Sequence, residues 1–152
     1  MPHTKILRVV CALIIHNNKV LVARRAAGQN HAGQWEFPGG KIKELEKPEA
    51  AIVREIREEL ALVVQPDKRL SPVTHDYETF CIELTGFICS IKSGTLNLID
   101  HDEIQWMNPA KEAQAPLLPP DRMIWEQFRV YYNNHSASKS PAGPTTRRRS
   151  LP

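Results

Sequence analysis

Residues 39–62 read GGKIKELEKPEAAIVREIREELAL. A glycine pair, Gly39-Gly40, opens the stretch, a charged loop holding Glu44 and Glu46 follows, and the remainder has helical spacing. Pro48 suits a first helical position, where its missing N–H would have had no partner anyway. Ala50, Ile52, Val53, Ile56 and Leu60 recur as the stripe to be buried. Glu55, Glu58 and Glu59 fall off that stripe, at separations that bring their side chains onto one face. Three clustered carboxylates repel one another, and Arg54, four residues before Glu58, relieves only part of that cost. A hard cation such as Mg²⁺ takes oxygen ligands and is shared between a few carboxylates and substrate phosphates. The stretch therefore reads as a metal platform, against the alternative of a solvated acidic face.

The chain of 152 residues is long enough for one domain with a proper core. Its net charge of +3 is unevenly spread: Lys139, Arg147, Arg148 and Arg149 lie in the last eighteen residues, which contain no acid, leaving the first 134 residues at −1. Residues 1–134 are thus expected to form the domain and residues 135–152 a disordered basic tail. A folded part without positive excess argues against bulk nucleic-acid binding, which needs a basic footprint. Cys11, Cys81 and Cys89 form no C-x-x-C spacing and read as small hydrophobes of a reducing compartment. The apolar run 9–15 is short for a signal peptide and is followed by a turn, so a cytoplasmic protein without a membrane span is expected.

Residues 6–15 are almost continuously apolar, as in a strand buried on both faces. His16-Asn17-Asn18 turns the chain into a second strand at 19–24, and a further strand must end near Pro38. Beyond the helix, 63–65 reads as a short strand turned by Pro66-Asp67. Residues 73–80 and 81–90 read as two strands, then come a turn at Ser93-Gly94, a run at 95–99 and a strand at 104–107. A short helix is expected from Asn108-Pro109 to Ala113, and a final helix, capped by Asp121, to about Asn133. Strands mixed with at least two helices give an α/β or α+β sandwich.

The stretch at 39–62 resembles the Nudix box: a glycine, five residues, glutamate, seven residues, then R-E-U-x-E-E-x-G-U with U aliphatic. The matching positions are Gly40, Glu46, Arg54, Glu55, Ile56, Glu58, Glu59 and Leu62, and the late glycine is Ala61 here. The resemblance implies a mixed β-sheet sandwiched between α-helices, over roughly residues 6–133. It also implies roles. Glu55, Glu58, Glu59 and the Gly39 carbonyl would hold Mg²⁺, with Mn²⁺ as an alternative. Arg54 would orient one of the carboxylates, with Glu46 in support. MutT-type members use a further carboxylate from a later loop, for which Asp100 is the first choice here and Asp102 and Glu103 are alternatives.

Similarity to the MutT subgroup and to its relatives acting on cytidine nucleotides extends to Ala23-Arg24-Arg25-Ala26, to Trp35-Glu36-Phe37-Pro38-Gly39-Gly40-Lys41 and to Leu117-Leu118-Pro119-Pro120-Asp121. Arg25 then matches a nucleotide-contacting arginine, and Asp121 falls where the purine edge is read. Lys41 is a phosphate contact or a solvated lysine. Trp35, Tyr77 and Phe80 are candidates to stack on a base, with core packing favoured for Phe80. The expected activity is metal-dependent cleavage of a nucleoside triphosphate to monophosphate and pyrophosphate, with 8-oxo-dGTP ahead of CTP or dCTP as substrate. A non-catalytic binding module would be expected to have lost acidic positions of the box, and RNA-end processing would need the basic surplus that residues 1–134 lack. No membrane or stable nucleic-acid partner is expected.

Overall fold

The computed structural model of the chain describes residues 5–139, with side chains through residue 135. In order come β1 (Ile6–His16), β2 (Lys19–Arg25), β3 (Trp35–Glu36), β4 (Gly39–Lys41), α1 (Pro48–Leu60), β5 (Leu62–Arg69), β6 (Val73–Asp76), β7 (Cys81–Gly94), β8 (His101–Met107) and α2 (Pro119–Lys139). The strands form one mixed sheet. β1 and β7 pair in parallel from Ile6↔Cys81 to Ile15↔Ser90, and the other pairings are antiparallel. The second edge of β1 is divided: Val9–Cys11 face β4, and Ile15 and His16 face β2.

Period-two alternation in β1 supplies two cores. Val10, Ala12 and Ile14 join Ile52, Ile56 and Leu60 of α1 on one face; Cys11 and Leu13 join Ile124, Trp125 and Phe128 of α2 on the other. This is the expected mixed sheet between helices, and it accounts for the unbroken apolar run. Asn17 (φ 53°) and Asn18 (φ 62°) form the two-residue hairpin, both in the left-handed region that a type I′ turn requires.

Several expected boundaries shift. β5 continues through Pro66, which sits at a register irregularity where its missing N–H is tolerated. β6 stops at Asp76, and Tyr77 to Phe80 form the turn into β7, closed by the Tyr77 N–H donating to the Phe80 carbonyl at 2.8 Å. Residues 108–113 are a turn; the Asn108 side chain accepts the Ala110 N–H and Gln114 accepts the Asn108 N–H, side-chain bonds that compete with a helix. α2 starts at Pro119, so Asp121 lies within its first turn and is no cap, and α2 runs past Asn133 to Lys139. The rest of the expected tail, with Arg147–Arg149, lies outside the described residues.

The run at 95–99 is not a strand. The carbonyls at the end of α1 have no partner within the helix, and this segment supplies them: the Asn97 N–H donates to Leu60 O at 2.9 Å and the Ile99 N–H to Glu59 O at 3.2 Å. The segment leading to residue 100 is thereby tied to the last turn of the acidic helix.

Candidate active site

Arg54 is the hub of the α1 face. Its Nε and Nη2 donate to the two oxygens of Glu46 at 2.7 and 2.9 Å, Nη1 to Glu55 at 2.9 Å and Glu58 at 3.3 Å, and Nη2 also to the Lys41 carbonyl at 3.1 Å. Glu46 also accepts the Lys43 N–H. The Arg54 guanidinium, with that N–H, draws the Glu46 carboxyl down to about 2, and Glu46 in turn holds Arg54 more firmly charged. A bidentate fork between planar groups fixes geometry as well as charge. Arg54 is thus bonded to Glu55 and Glu58 together, where the box resemblance has it orient one of the carboxylates.

Glu59 differs from its neighbours. Only 7% exposed, it accepts the Gly39 N–H at 3.1 Å. Burial, with the charges of Glu36, Glu55 and Asp100 adding to it, pushes its carboxyl up to about 8, against the pull of that N–H. Ile99, which precedes Asp100, donates its N–H to the Glu59 carbonyl, so the backbone brings Asp100 to the end of α1. Asp102 and Glu103 are committed elsewhere, both to Arg24 at 2.8 and 3.1 Å. Of the three candidates for the later carboxylate, Asp100 is the one not paired with Arg24.

Across β3, Glu36 Oε2 accepts from Arg25 Nη1 and faces His101 Nε2, each at 3.0 Å. Arg25 also donates Nε to the Asn30 carbonyl. The sequence shows Glu36 within a motif but gives neither it nor His101 a part. The signal available for Glu36 was its place as a lone acid between Trp35 and Phe37. Asp121, 7% exposed, accepts the Phe37 N–H at 2.9 Å. Burial raises its carboxyl to about 7, with the charge of Glu36 contributing. Burial, with the Asp121 charge adding to it, raises the Tyr77 hydroxyl; Tyr77 stacks on Phe80 with centroids 5.1 Å apart. Trp35 is half-buried against the α2-side core under the Arg24 guanidinium. The Lys41 side chain is exposed at the end of β4.

Asp121 and Glu59 are thus held two residues apart along one backbone run, on the N–H groups of Phe37 and Gly39, with Glu36 and its partner Arg25 at one end of that run and Glu55 and Glu58, held by Arg54, on the helix that carries Glu59. Among the described residues no three acidic, imidazole or thiol groups already stand in metal-ligand geometry, because Glu55 and Glu58 turn to Arg54 and Glu59 to Gly39. The donor set nevertheless fits a hard cation. It is all oxygen, and the Glu59 carboxyl, raised first by burial and then by the charges of Glu36, Glu55 and Asp100, is one that such a cation would help to ionise.

This fold and this acidic helix define a class, and comparison with known proteins agrees. The NUDIX domain profile matches residues 9–127. CTP pyrophosphohydrolase of Escherichia coli K12 is 34% identical over 124 residues, covering 82% of this chain and 92% of that protein. An 8-oxo-dGTP diphosphatase of Proteus vulgaris is 41% identical over 73 residues, covering 48% of this chain and 64% of its own. The solution structure of the E. coli ORF135 protein superposes with a TM-score of 0.72 at 31% identity, covering 91% of this chain and 96% of that one. A MutT Nudix hydrolase from Burkholderia pseudomallei gives 0.70 at 26% identity, covering 81% and 98%. The chain belongs to the Nudix family. Within it, this is a MutT-like hydrolase of the nucleotide diphosphatase type.

Proposed function

We propose that the protein is a Mg²⁺-dependent nucleoside triphosphate pyrophosphohydrolase that releases a nucleoside monophosphate and pyrophosphate, and that it clears oxidised nucleotides such as 8-oxo-dGTP. The observation that carries this reading is a pair of buried carboxylates held two residues apart along one backbone run, Asp121 on the Phe37 N–H and Glu59 on the Gly39 N–H, with Glu55 and Glu58, held by Arg54, on the helix that carries Glu59. Glu55, Glu58, Glu59, Asp100 and the Gly39 carbonyl would hold Mg²⁺ or Mn²⁺, which neutralises phosphate charge and acidifies a bound water.

The chain's own residues do the rest. Phosphoanhydride cleavage asks mainly for positioning and charge stabilisation. Arg54 keeps Glu55 and Glu58 turned to one side, Gly39 holds Glu59 through its N–H, and Asp100 is delivered by the backbone bonds that cap α1. At the other end, Asp121 would meet the base edge and Tyr77 its face, with Arg25 fixed by Glu36 beside them.

A second base choice, CTP or dCTP, is supported by Asp121, whose carboxyl when protonated can donate to the cytosine N3, and by the relative matched over 82% of this chain, which is named for CTP. Pyrophosphate release from a panel of triphosphates decides between them. A preference of tenfold or more for 8-oxo-dGTP over dGTP and CTP is expected, and equal rates on all would overturn the oxidised-purine assignment. Glu58→Gln is expected to abolish turnover, and retained turnover would overturn the metal assignment. A cytoplasmic setting accords with these substrates, and no helix among the described residues is long and apolar enough to cross a membrane.

A further inference from the structure

We propose that His101 is a positioning residue for this reaction: it fixes the Glu36 carboxylate between the acidic helix and the base neighbourhood, and a one-residue bulge at Asp102 turns it there. The inference rests on the pyrophosphohydrolase reading above. The β2–β8 ladder runs unbroken from Val20↔Met107 to Arg24↔Glu103, and then Arg25 pairs with His101, passing over Asp102. In an unbroken ladder Asp102 would stand opposite Arg25, and His101 would share the face of Glu103. The extra residue reverses that assignment. Asp102 and Glu103 both reach Arg24, whose guanidinium lies over Trp35, while His101 comes onto the side of Arg25 and Glu36. Bulges of this kind re-aim side chains beside active sites.

The His101 side chain is fully buried. Its Nε2 reaches the same Glu36 oxygen that accepts from Arg25, and its Nδ1 has no partner among the described residues. An ionised carboxylate only accepts, so Nε2 carries the proton of this contact, and Nδ1 is left without a partner. Burying an imidazole with half its bonding capacity unused costs stability that an apolar ring would not. What the imidazole provides is the bond to Glu36. Held at Oε2 from two sides, Glu36 takes no hydrogen bond at Oε1 from any described residue, so a fixed carboxylate presents one open acceptor. Glu36 lies one residue before Phe37, whose N–H binds Asp121, and three before Gly39, whose N–H binds Glu59, which sets it on the backbone run that joins the two ends of the site.

The test compares wild type with His101→Phe, His101→Leu and His101→Gln for pyrophosphate release from 8-oxo-dGTP and CTP, alongside thermal unfolding. Phe and Leu cannot donate, whereas the Gln amide reaches the place of Nε2. The expected result is a loss of about 10- to 100-fold in kcat/KM for Phe or Leu, the range seen when a bond orienting an active-site ligand is removed. Stability should hold or rise in those variants, and Gln should stay within about threefold of wild type. A second arm follows the His101 Nε2–H signal by NMR in wild type and Glu36→Gln, where a clear shift is expected. The proposal falls if Phe keeps full activity, if Gln does no better than Phe, if activity and stability decline together, or if the Nε2–H signal ignores Glu36→Gln. In those cases an active wild type leaves the pyrophosphohydrolase reading standing. A wild type that cleaves no nucleotide overturns that reading and the proposal with it.

Discussion

Gly40 and Glu55 meet through a side chain that glycine lacks: a Cβ at position 40 would stand 2.4 Å from the Glu55 carboxyl carbon and within 2.6 Å of both its oxygens. Gly39 is a glycine for another reason. A Cβ there would lie 2.0 Å from the Val10 carbonyl oxygen of β1, which is backbone and cannot move aside. Alanine should therefore separate the two functions. Gly40→Ala displaces the end of a flexible carboxylate, and a shift of about 1 Å in a reacting group costs on the order of 100-fold in rate; kcat should fall that far with the melting temperature nearly unchanged. Gly39→Ala forces β4 off β1, and overpacking of this kind costs about 1–3 kcal/mol. Its melting temperature should drop. Circular dichroism melts beside pyrophosphate release check both, and equal effects of the two variants on stability would refute the distinction.

Ala61 stands where the box resemblance has glycine, and it closes α1 with φ 59° and ψ 28°, its N–H donating to Arg57 O. A left-handed conformation costs an L side chain about 1–2 kcal/mol, of which the greater freedom of an unfolded glycine returns about 0.4–1 kcal/mol. Ala61→Gly should thus raise stability by roughly 1 kcal/mol, about 2–4 °C in melting temperature. Because position 61 carries no catalytic group, kcat should not change. A lower melting temperature would show that the alanine methyl contributes packing that outweighs the strain.

The acidic helix was legible in sequence because its information is local: a 3.6-residue stripe, a proline at the start and carboxylates at fixed offsets. The later carboxylate was not. Asp100, Asp102 and Glu103 lie within four residues and share a chemistry, and what separates them is long-range. The open carbonyls of Leu60 and Glu59 draw in residues 97 and 99, and the bulge opposite Arg24 sends Asp102 and Glu103 to the other face. Leu96, Leu98 and Ile99 look like strand residues until that capping demand is seen. The Glu36–His101 contact spans 65 residues and had no periodic signature at all. Asp121 was found by motif, but its reading as a cap failed because Pro119 and Pro120 already occupy the first helical positions.

Glu59 makes the metal-free protein sensitive to alkali. Its folded carboxyl titrates at about 8, well above an ordinary glutamate, so the folded state binds a proton that the unfolded state has released. That stability is fully present below the unfolded value and lost as pH rises toward 8, by up to about 1.4 kcal/mol per pH unit. Asp121 loses stability in the same direction, but its part ends near pH 7. Melting temperatures without metal should therefore fall from pH 5 to 8 in wild type. In Glu59→Gln, which keeps an acceptor for the Gly39 N–H, they should level off above pH 7. Added Mg²⁺ should recover wild type at pH 8 and leave the variant unmoved. Parallel curves for the two proteins would contradict the assignment of Glu59 to the cation.

Asp121 titrates inside the working range, and its protonation state bears on which base it accepts. As an ionised carboxylate it only accepts hydrogen bonds, which suits the N1–H and N2–H₂ donors of an oxidised guanine. Protonated, it also donates, which suits the cytosine N3 acceptor beside the N4–H₂ donor. The Phe37 N–H occupies Oδ2 in either state, so the change is carried by the remaining valence of the group. With the carboxyl at about 7, kcat/KM for 8-oxo-dGTP divided by that for CTP should rise several-fold between pH 6 and pH 8. Taking the ratio cancels the titration of the phosphates and of the metal site, which both substrates share. Asp121→Asn has no proton to lose, and its ratio should be flat over the same interval. A wild-type ratio that does not change with pH would remove Asp121 from base selection and leave it the narrower part of tying α2 to the Phe37 backbone.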